Sequence, residues 1–170
     1  MSFRLVSTIR GAGTVGWQSI GLGLATIGPL GRVPAAPGTA ASLAGLILHL
    51  GLQGLPGAWA WAALGALFLV GVWSAGCAER ALARRDPPQV VIDEVLGMAV
   101  ALAGLGTGLL TLAVGFALFR ILDVLKPPPI RDVERRLPGG WAVMGDDLAA
   151  ALEVQLALRI LGVFWPLASH

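Results

Sequence analysis

Charge is what this chain has least of. Asp, Glu, Lys and Arg make up 13% of its 170 residues, where soluble domains carry about a quarter. From Val33 to Ala78 there is no charged residue at all. That scarcity excludes an ordinary soluble domain and points to a single-domain integral membrane protein. Cysteine is nearly absent too. Cys77 stands alone, so no intramolecular disulfide can form, and its apolar surroundings read as packing. Only two histidines occur, His49 and His170. They cannot build a zinc cluster or a histidine-based phosphoryl-transfer site, and His49, within an apolar run, reads as an internal hydrogen-bonding residue. No Walker loop is present, and the Gly-x-Gly pairs do not follow a strand. The net charge of +2 includes no basic run interleaved with aromatics, which argues against nucleic acid. Arginines beside apolar segments fit anionic lipid headgroups better.

Long apolar runs are what the chain does have. Residues 1–32 are glycine-rich; Arg4 and Arg10 precede a broken apolar stretch without a clean cleavage site, so the segment is expected to be retained. The uncharged run of about 46 residues has room for two spans of roughly 20. Gly54, Pro56 and Gly57 read as the turn between them. The spacing predicts a helical hairpin over residues 39–85, starting near Thr39 as a capping hydroxyl after Pro37-Gly38. The second helix runs from about Ala58 to Arg85. Trp59, Trp61 and Trp73 lie near its ends, and Arg80, Arg84 and Arg85 follow. Together with Arg4, Arg10 and Arg32 these place both flanks on the cytoplasmic side.

The next apolar run is long enough for one crossing, but Gly104, Gly106 and Gly108 offer a turn. A single crossing would leave Lys126, Arg131, Arg135 and Arg136 outside, against the positive-inside tendency. A second hairpin over residues 88–125, short or partly re-entrant, is preferred. Pro127-Pro128-Pro129 ends it. Residues 126–142 form a cytoplasmic loop with a short surface helix over 131–137, and a last helix occupies residues 143–167, where Glu153 and Arg159 must avoid lipid. The expected fold is all-α: a polytopic membrane bundle of about four membrane segments. Glycine-rich spans favour close helix contact within or between chains, so a homo-oligomer stays open.

The carboxylates sit where these runs end. Asp93-Glu94 opens one, Asp123 closes it, and Asp146-Asp147 begins the last helix. A hairpin brings all three groups to one membrane face. Clustered carboxylates repel unless a cation holds them, and hard oxygen donors suit Mg²⁺. Arg120 and Lys126 lie beside Asp123. A metal held by carboxylates, with cationic donors nearby, is equipment for phosphate-ester hydrolysis. Each pair also has a plain structural explanation: acids complementing a helix dipole, or an i, i+3 ion pair between Arg120 and Asp123.

Four segments resemble the phosphatidylglycerophosphatase A family. They are Ala36-Pro37-Gly38-Thr39-Ala40-Ala41-Ser42-Leu43, Ile92-Asp93-Glu94-Val95-Leu96-Gly97-Met98, the stretch from Phe119-Arg120 through Asp123 and Lys126 to Ile130, and Gly139-Gly140-Trp141-Ala142-Val143-Met144-Gly145-Asp146-Asp147. They occur in the family's order from about Gly31 onward. Ala35, Ala41, Ile92 and Ala142 depart from its pattern without removing a carboxylate. The resemblance implies a Mg²⁺-dependent lipid phosphatase of the bacterial inner membrane, multi-pass, with its site facing the cytoplasm. Its substrate would be phosphatidylglycerophosphate and its product phosphatidylglycerol. Carried over by residue, Asp93, Glu94, Asp123, Asp147 and Asp146 are metal ligands or bases. Arg120 and Lys126 stabilise the phosphate as charge moves to the leaving oxygen. Thr39 and Ser42, near a helix start, would hold phosphate oxygens. In-line attack by water is the expected chemistry, with an aspartyl-phosphate left open. The competing expectations are a non-enzymatic membrane assembly or carrier protein, and a phosphatase for a different lipid phosphate.

Overall fold

A computed structural model describes residues 12–164. Among them are seven α-helices and no strand: α1 Ala12–Ala25, α2 Pro37–Leu52, α3 Gly57–Leu82, α4 Ile92–Leu102, α5 Leu109–Leu125, α6 Ile130–Arg136 and α7 Gly140–Phe164. The all-helical expectation holds. Arg4, Arg10, His170 and the expected end of the last helix at residue 167 lie outside the described residues.

The architecture is organised around α4. Every one of its residues except Glu94 is buried, as suits a helix that is apolar on all sides. Its neighbours are α2, α7, α3 and α5. With 11 residues it is roughly 16 Å long, about half the thickness of a bilayer's hydrocarbon core. The apolar run from Val95 to Phe119 is therefore a hairpin and not one crossing. Its turn includes Gly104 at φ +69°, a conformation that glycine adopts without strain. The two arms run antiparallel, since Gly97 on α4 lies against the Phe119 ring and Gly115 on α5 lies against Leu102.

Helices α2 and α3 are joined by a turn at residues 53–56, as the glycine and proline signals indicated, but they pack against α4 and not against each other as a close hairpin. Among the described residues only α3, with 26 residues, is long and apolar enough to cross a membrane. Other helices still turn apolar side chains outward: Ile47 on α2, Trp59 and Leu69 on α3, Leu109 and Val124 on α5, and Leu156 on α7 are all more than half exposed. The molecule is apolar both inside and over much of its outer face.

Several boundaries differ from expectation. Helix α1 replaces what looked like a broken glycine-rich segment. It survives its glycines by packing on α3, where Gly21 lies directly against Cys77. Helix α2 starts at Pro37, so Thr39 is already inside it; the N-cap is Ala36, with no side-chain cap hydrogen bond. Proline at the first helical position needs no amide donor, which lets the helix begin early. Helix α3 stops at Leu82, where Ala83 enters the left-handed region. Helix α7 begins at Gly140, ahead of the expected residue 143. The single cysteine is buried, and His49 is buried with Nε2 2.9 Å from Gln53 Nε2, consistent with the packing and hydrogen-bonding roles expected of them.

Candidate active site

The ends of α2, α4, α5 and α7 converge on one cleft of about 370 Å³. Its α4 wall is fixed by the loop before it: the Val91 amide donates to the Ala25 carbonyl at 2.9 Å. This anchors the first turn of α4, and with it Asp93 and Glu94, against the end of α1. The α2 wall approaches through Gly38. A β-carbon there would lie 2.5 Å from Glu94 Oε1 and 3.1 Å from Arg120 Nη1. The absent side chain is what lets Glu94 and Arg120 share this corner.

The last two turns of α5 supply Arg120 and Asp123, with Arg120 Nη1 donating to Asp123 Oδ2 at 2.5 Å. Lys126 caps the helix in the left-handed conformation and turns back to α7, where its Nζ donates to Asp146 Oδ2 at 2.5 Å. Glu134 Oε2 on α6 is 3.4 Å from the same ammonium. Burial alone would lower the Lys126 pKa, but the hydrogen bond and charge of Asp146 outweigh it and hold the ammonium above its ordinary value. Lys126 is therefore a fixed positive charge at neutral pH. The Asp147 amide donates to Asp146 Oδ1 at 3.0 Å, which orients Asp146 toward the lysine and leaves the Asp147 carboxylate free to face α4.

Asp93, Glu94 and Asp147 meet at the centre. Each offers a carboxylate oxygen, and these oxygens lie within 4.8 Å of one another. Asp93 Oδ1, Glu94 Oε2 and Asp147 Oδ2 are buried without any hydrogen-bond partner. A buried carboxylate oxygen without a donor carries a desolvation penalty, and three together repel. An all-oxygen set of this kind matches the ligand preference of Mg²⁺, which binds through one or two carboxylates and keeps several waters. The site fits a hard divalent cation.

Of the residues expected from sequence, Thr39, Asp93, Glu94, Arg120, Asp123, Lys126, Asp146 and Asp147 all line the cleft. Ser42 does not. It is fully buried one turn behind, donating to the Gly38 carbonyl at 2.9 Å, with Arg120 Nη1 3.5 Å from its hydroxyl. Two charged lining residues were not anticipated: Arg84 and Asp86, from the loop joining α3 to α4. Asp86 takes a left-handed φ of +44° and donates its amide to Glu79 Oε1 at 3.0 Å. Desolvation raises its pKa, with Lys126 opposing and Glu134, Glu79 and Asp123 adding to the rise. The only sequence signal for it was a carboxylate before Pro87-Pro88 on the approach to Asp93. The cleft thus holds six carboxylates (Asp86, Asp93, Glu94, Asp123, Asp146 and Asp147) against three cations (Arg84, Arg120 and Lys126).

A family model described as Phosphatidylglycerophosphatase A matches residues 23–162, a stretch that contains the whole cleft. The chain belongs to the phosphatidylglycerophosphatase A family. It is a phosphatase, a phosphoric monoester hydrolase. A phosphatidylglycerophosphatase A of Escherichia coli K12 is 32% identical over 154 residues, covering 89% of this chain and 86% of that protein. One from Haemophilus influenzae is 36% identical over 124 residues, covering 72% and 76%. A Bacteroides thetaiotaomicron protein, provisionally named a phosphatidylinositol-3-phosphatase, is 36% identical over 130 residues, covering 72% and 80%. No solved structure matches. Membership of the phosphatidylglycerophosphatase A family rules out the expectation of a non-enzymatic assembly or carrier protein.

Proposed function

We propose that this phosphatase removes the terminal phosphate of phosphatidylglycerophosphate, giving phosphatidylglycerol, with Mg²⁺ as cofactor. The observation that carries this reading is the trio of partnerless carboxylate oxygens on Asp93, Glu94 and Asp147 beside the Arg120 guanidinium and the Lys126 ammonium. The trio would hold the cation, with Asp123 and Asp146, which line the same cleft, as candidates for further ligands or bases. When bound, Mg²⁺ supplies charge neutralisation and a lowered pKa for water.

The protein's own groups account for the rest. Arg120 and Lys126 attract the phosphate and stabilise the charge that shifts to its oxygens as the ester bond breaks. Each is held in place by a carboxylate (Asp123 and Asp146 respectively), which limits reorganisation during the reaction. Ser42 acts through Arg120 by filling the space behind it. Thr39 stands at the rim, where its hydroxyl can meet a phosphate oxygen. Water is the nucleophile, and a cleft carboxylate accepts its proton.

The outward apolar side chains of α2, α3, α5 and α7 support a multi-pass setting in the bacterial cytoplasmic membrane. Arg80 in the last turn of α3 and Arg84 and Arg85 just after it lie at the same end as the cleft, which by the positive-inside tendency faces the cytoplasm.

Purified protein in uncharged detergent is expected to release phosphate from phosphatidylglycerophosphate with Mg²⁺ and to stop when a chelator is added. Asp123→Asn is expected to fold and lose at least about a hundredfold in kcat; full activity in that variant would refute the assignment. The Bacteroides relative motivates a second reading, a phosphatase for another lipid phosphomonoester. A higher kcat/KM on phosphatidylinositol 3-phosphate than on phosphatidylglycerophosphate would favour it.

A further inference from the structure

A second groove, of about 610 Å³ and rich in arginine, shares Arg84 with the cleft. It lies between the end of α3 and the end of α6 and is lined by Arg80, Arg84, Arg85, Arg135 and Arg136, with Glu79 as its one carboxylate. Two segments some fifty residues apart thus turn arginines toward the same space. Among the described residues, none of the five is within ion-pair distance of a carboxylate. Arg85 donates to the Glu134 carbonyl at 2.7 Å, and Arg80 lies 3.3 Å from Cys77 Sγ. Glu79 is engaged by the Asp86 amide. The groove therefore carries positive charge that the fold does not neutralise. Arg84 lines both the groove and the carboxylate cleft. Leu137 lines the groove too and leaves more than a third of its surface exposed, an apolar contact for the part of a lipid nearest its headgroup.

We propose that this groove is a second anion subsite. It binds the inner phosphodiester of a lipid whose terminal phosphomonoester occupies the cleft, and Arg84 at the seam is the residue that selects for it. This rests on the preceding reading of the cleft. In such a lipid one polyol separates the two phosphates, so a site for the second must abut the site for the first, and a cation shared by both cavities meets that requirement. Guanidinium groups suit the task through paired donation to phosphate oxygens. In the preceding reading Arg120 and Lys126, the cleft cations held by Asp123 and Asp146, are committed to the terminal phosphate, so recognition of the inner phosphodiester falls to the groove.

The test compares wild type, Arg84→Gln and the exposed double variant Arg135→Gln/Arg136→Gln in uncharged detergent micelles. Turnover is measured on phosphatidylglycerophosphate and on phosphatidate of the same acyl chains, which has the monoester but no second phosphate. Arg84→Gln is expected to lower the ratio of kcat/KM for the two-phosphate lipid over phosphatidate by about tenfold or more, and the double variant by less. Binding is measured separately with phosphatidylglycerol, which carries the phosphodiester alone, against diacylglycerol. Wild type should prefer phosphatidylglycerol and Arg84→Gln should lose that preference. An unchanged ratio overturns the proposal, as does equal loss on both substrates or wild-type binding of phosphatidylglycerol no tighter than diacylglycerol. Phosphatidylglycerol binding that Arg84→Gln weakens without changing the ratio would mark the groove as a general headgroup contact and also overturn it. Absence of phosphate release from wild type with either lipid would instead refute the reading of the cleft, and the binding arm would then judge the groove by itself.

Discussion

At the scale of single residues, Gly38 is the most constrained position at the site. The atoms that a β-carbon would meet there are the ends of two flexible side chains, Glu94 Oε1 and Arg120 Nη1, not backbone. Gly38→Ala should therefore spare the fold and displace the chemistry. The expected outcome is a melting temperature close to wild type with kcat reduced by roughly a hundredfold, the scale associated with moving a reacting group by about an ångström. A variant with wild-type turnover would show that the corner shared by Glu94 and Arg120 does not need its present geometry. The same residue explains why Ser42 was easy to misplace from sequence. A serine one turn after a Pro-Gly helix start suggests a phosphate-facing hydroxyl, yet in the fold it faces inward, toward the Gly38 carbonyl.

At the scale of elements, legibility followed chemistry more than periodicity. The charged groups at the ends of α4, α5 and α7 were readable because each stands against an apolar run, and charge in such a place needs a partner. The turn of the α4–α5 hairpin was readable from its glycines. Helix α1 was not, because Gly16, Gly21 and Gly23 lower intrinsic helix propensity by about 1 kcal/mol each relative to alanine, and only tertiary packing on α3 offsets that. Arg84 and Asp86 were not, because a loop conformation with Asp86 in the left-handed region carries them into the cleft. The buried α4 depends on another packing detail. A β-carbon at Gly97 would sit 2.6 Å from Phe119 Cζ and 3.2 Å from the Asp147 carbonyl oxygen, and Phe119 is fully buried, so neither neighbour can move cheaply. Gly97→Ala should destabilise by about 1–3 kcal/mol, seen as a lower melting temperature in detergent. Gly51→Ala, whose added carbon meets nothing within 4 Å, is the matched control. Equal melting temperatures for the two variants would show that α4 and α5 are not in close contact at Gly97.

At the scale of the whole molecule, the carboxylate trio sets function against stability. Asp93 and Glu94 belong to the central helix and Asp147 to α7, so their repulsion acts between the two elements that hold the core together. Without a cation, one buried oxygen on each member of the trio has no donor. With one, the same oxygens cross-link α4 to α7, and any ligand that binds only the folded state stabilises it, by about 2.7 kcal/mol at a concentration a hundred times its Kd. Two effects of opposite sign follow for Asp147→Asn. In chelator, replacing one carboxylate by a neutral amide removes repulsion and should raise the melting temperature above wild type. In Mg²⁺, the variant loses a ligand and should gain little, while wild type gains several degrees and overtakes it. Thermal melts of both proteins in chelator and across a Mg²⁺ titration measure the crossing directly. If wild type melts at the same temperature with and without Mg²⁺, the trio does not hold the cation; if Asp147→Asn is the less stable protein even in chelator, the carboxylate is a structural anchor and not a strained ligand.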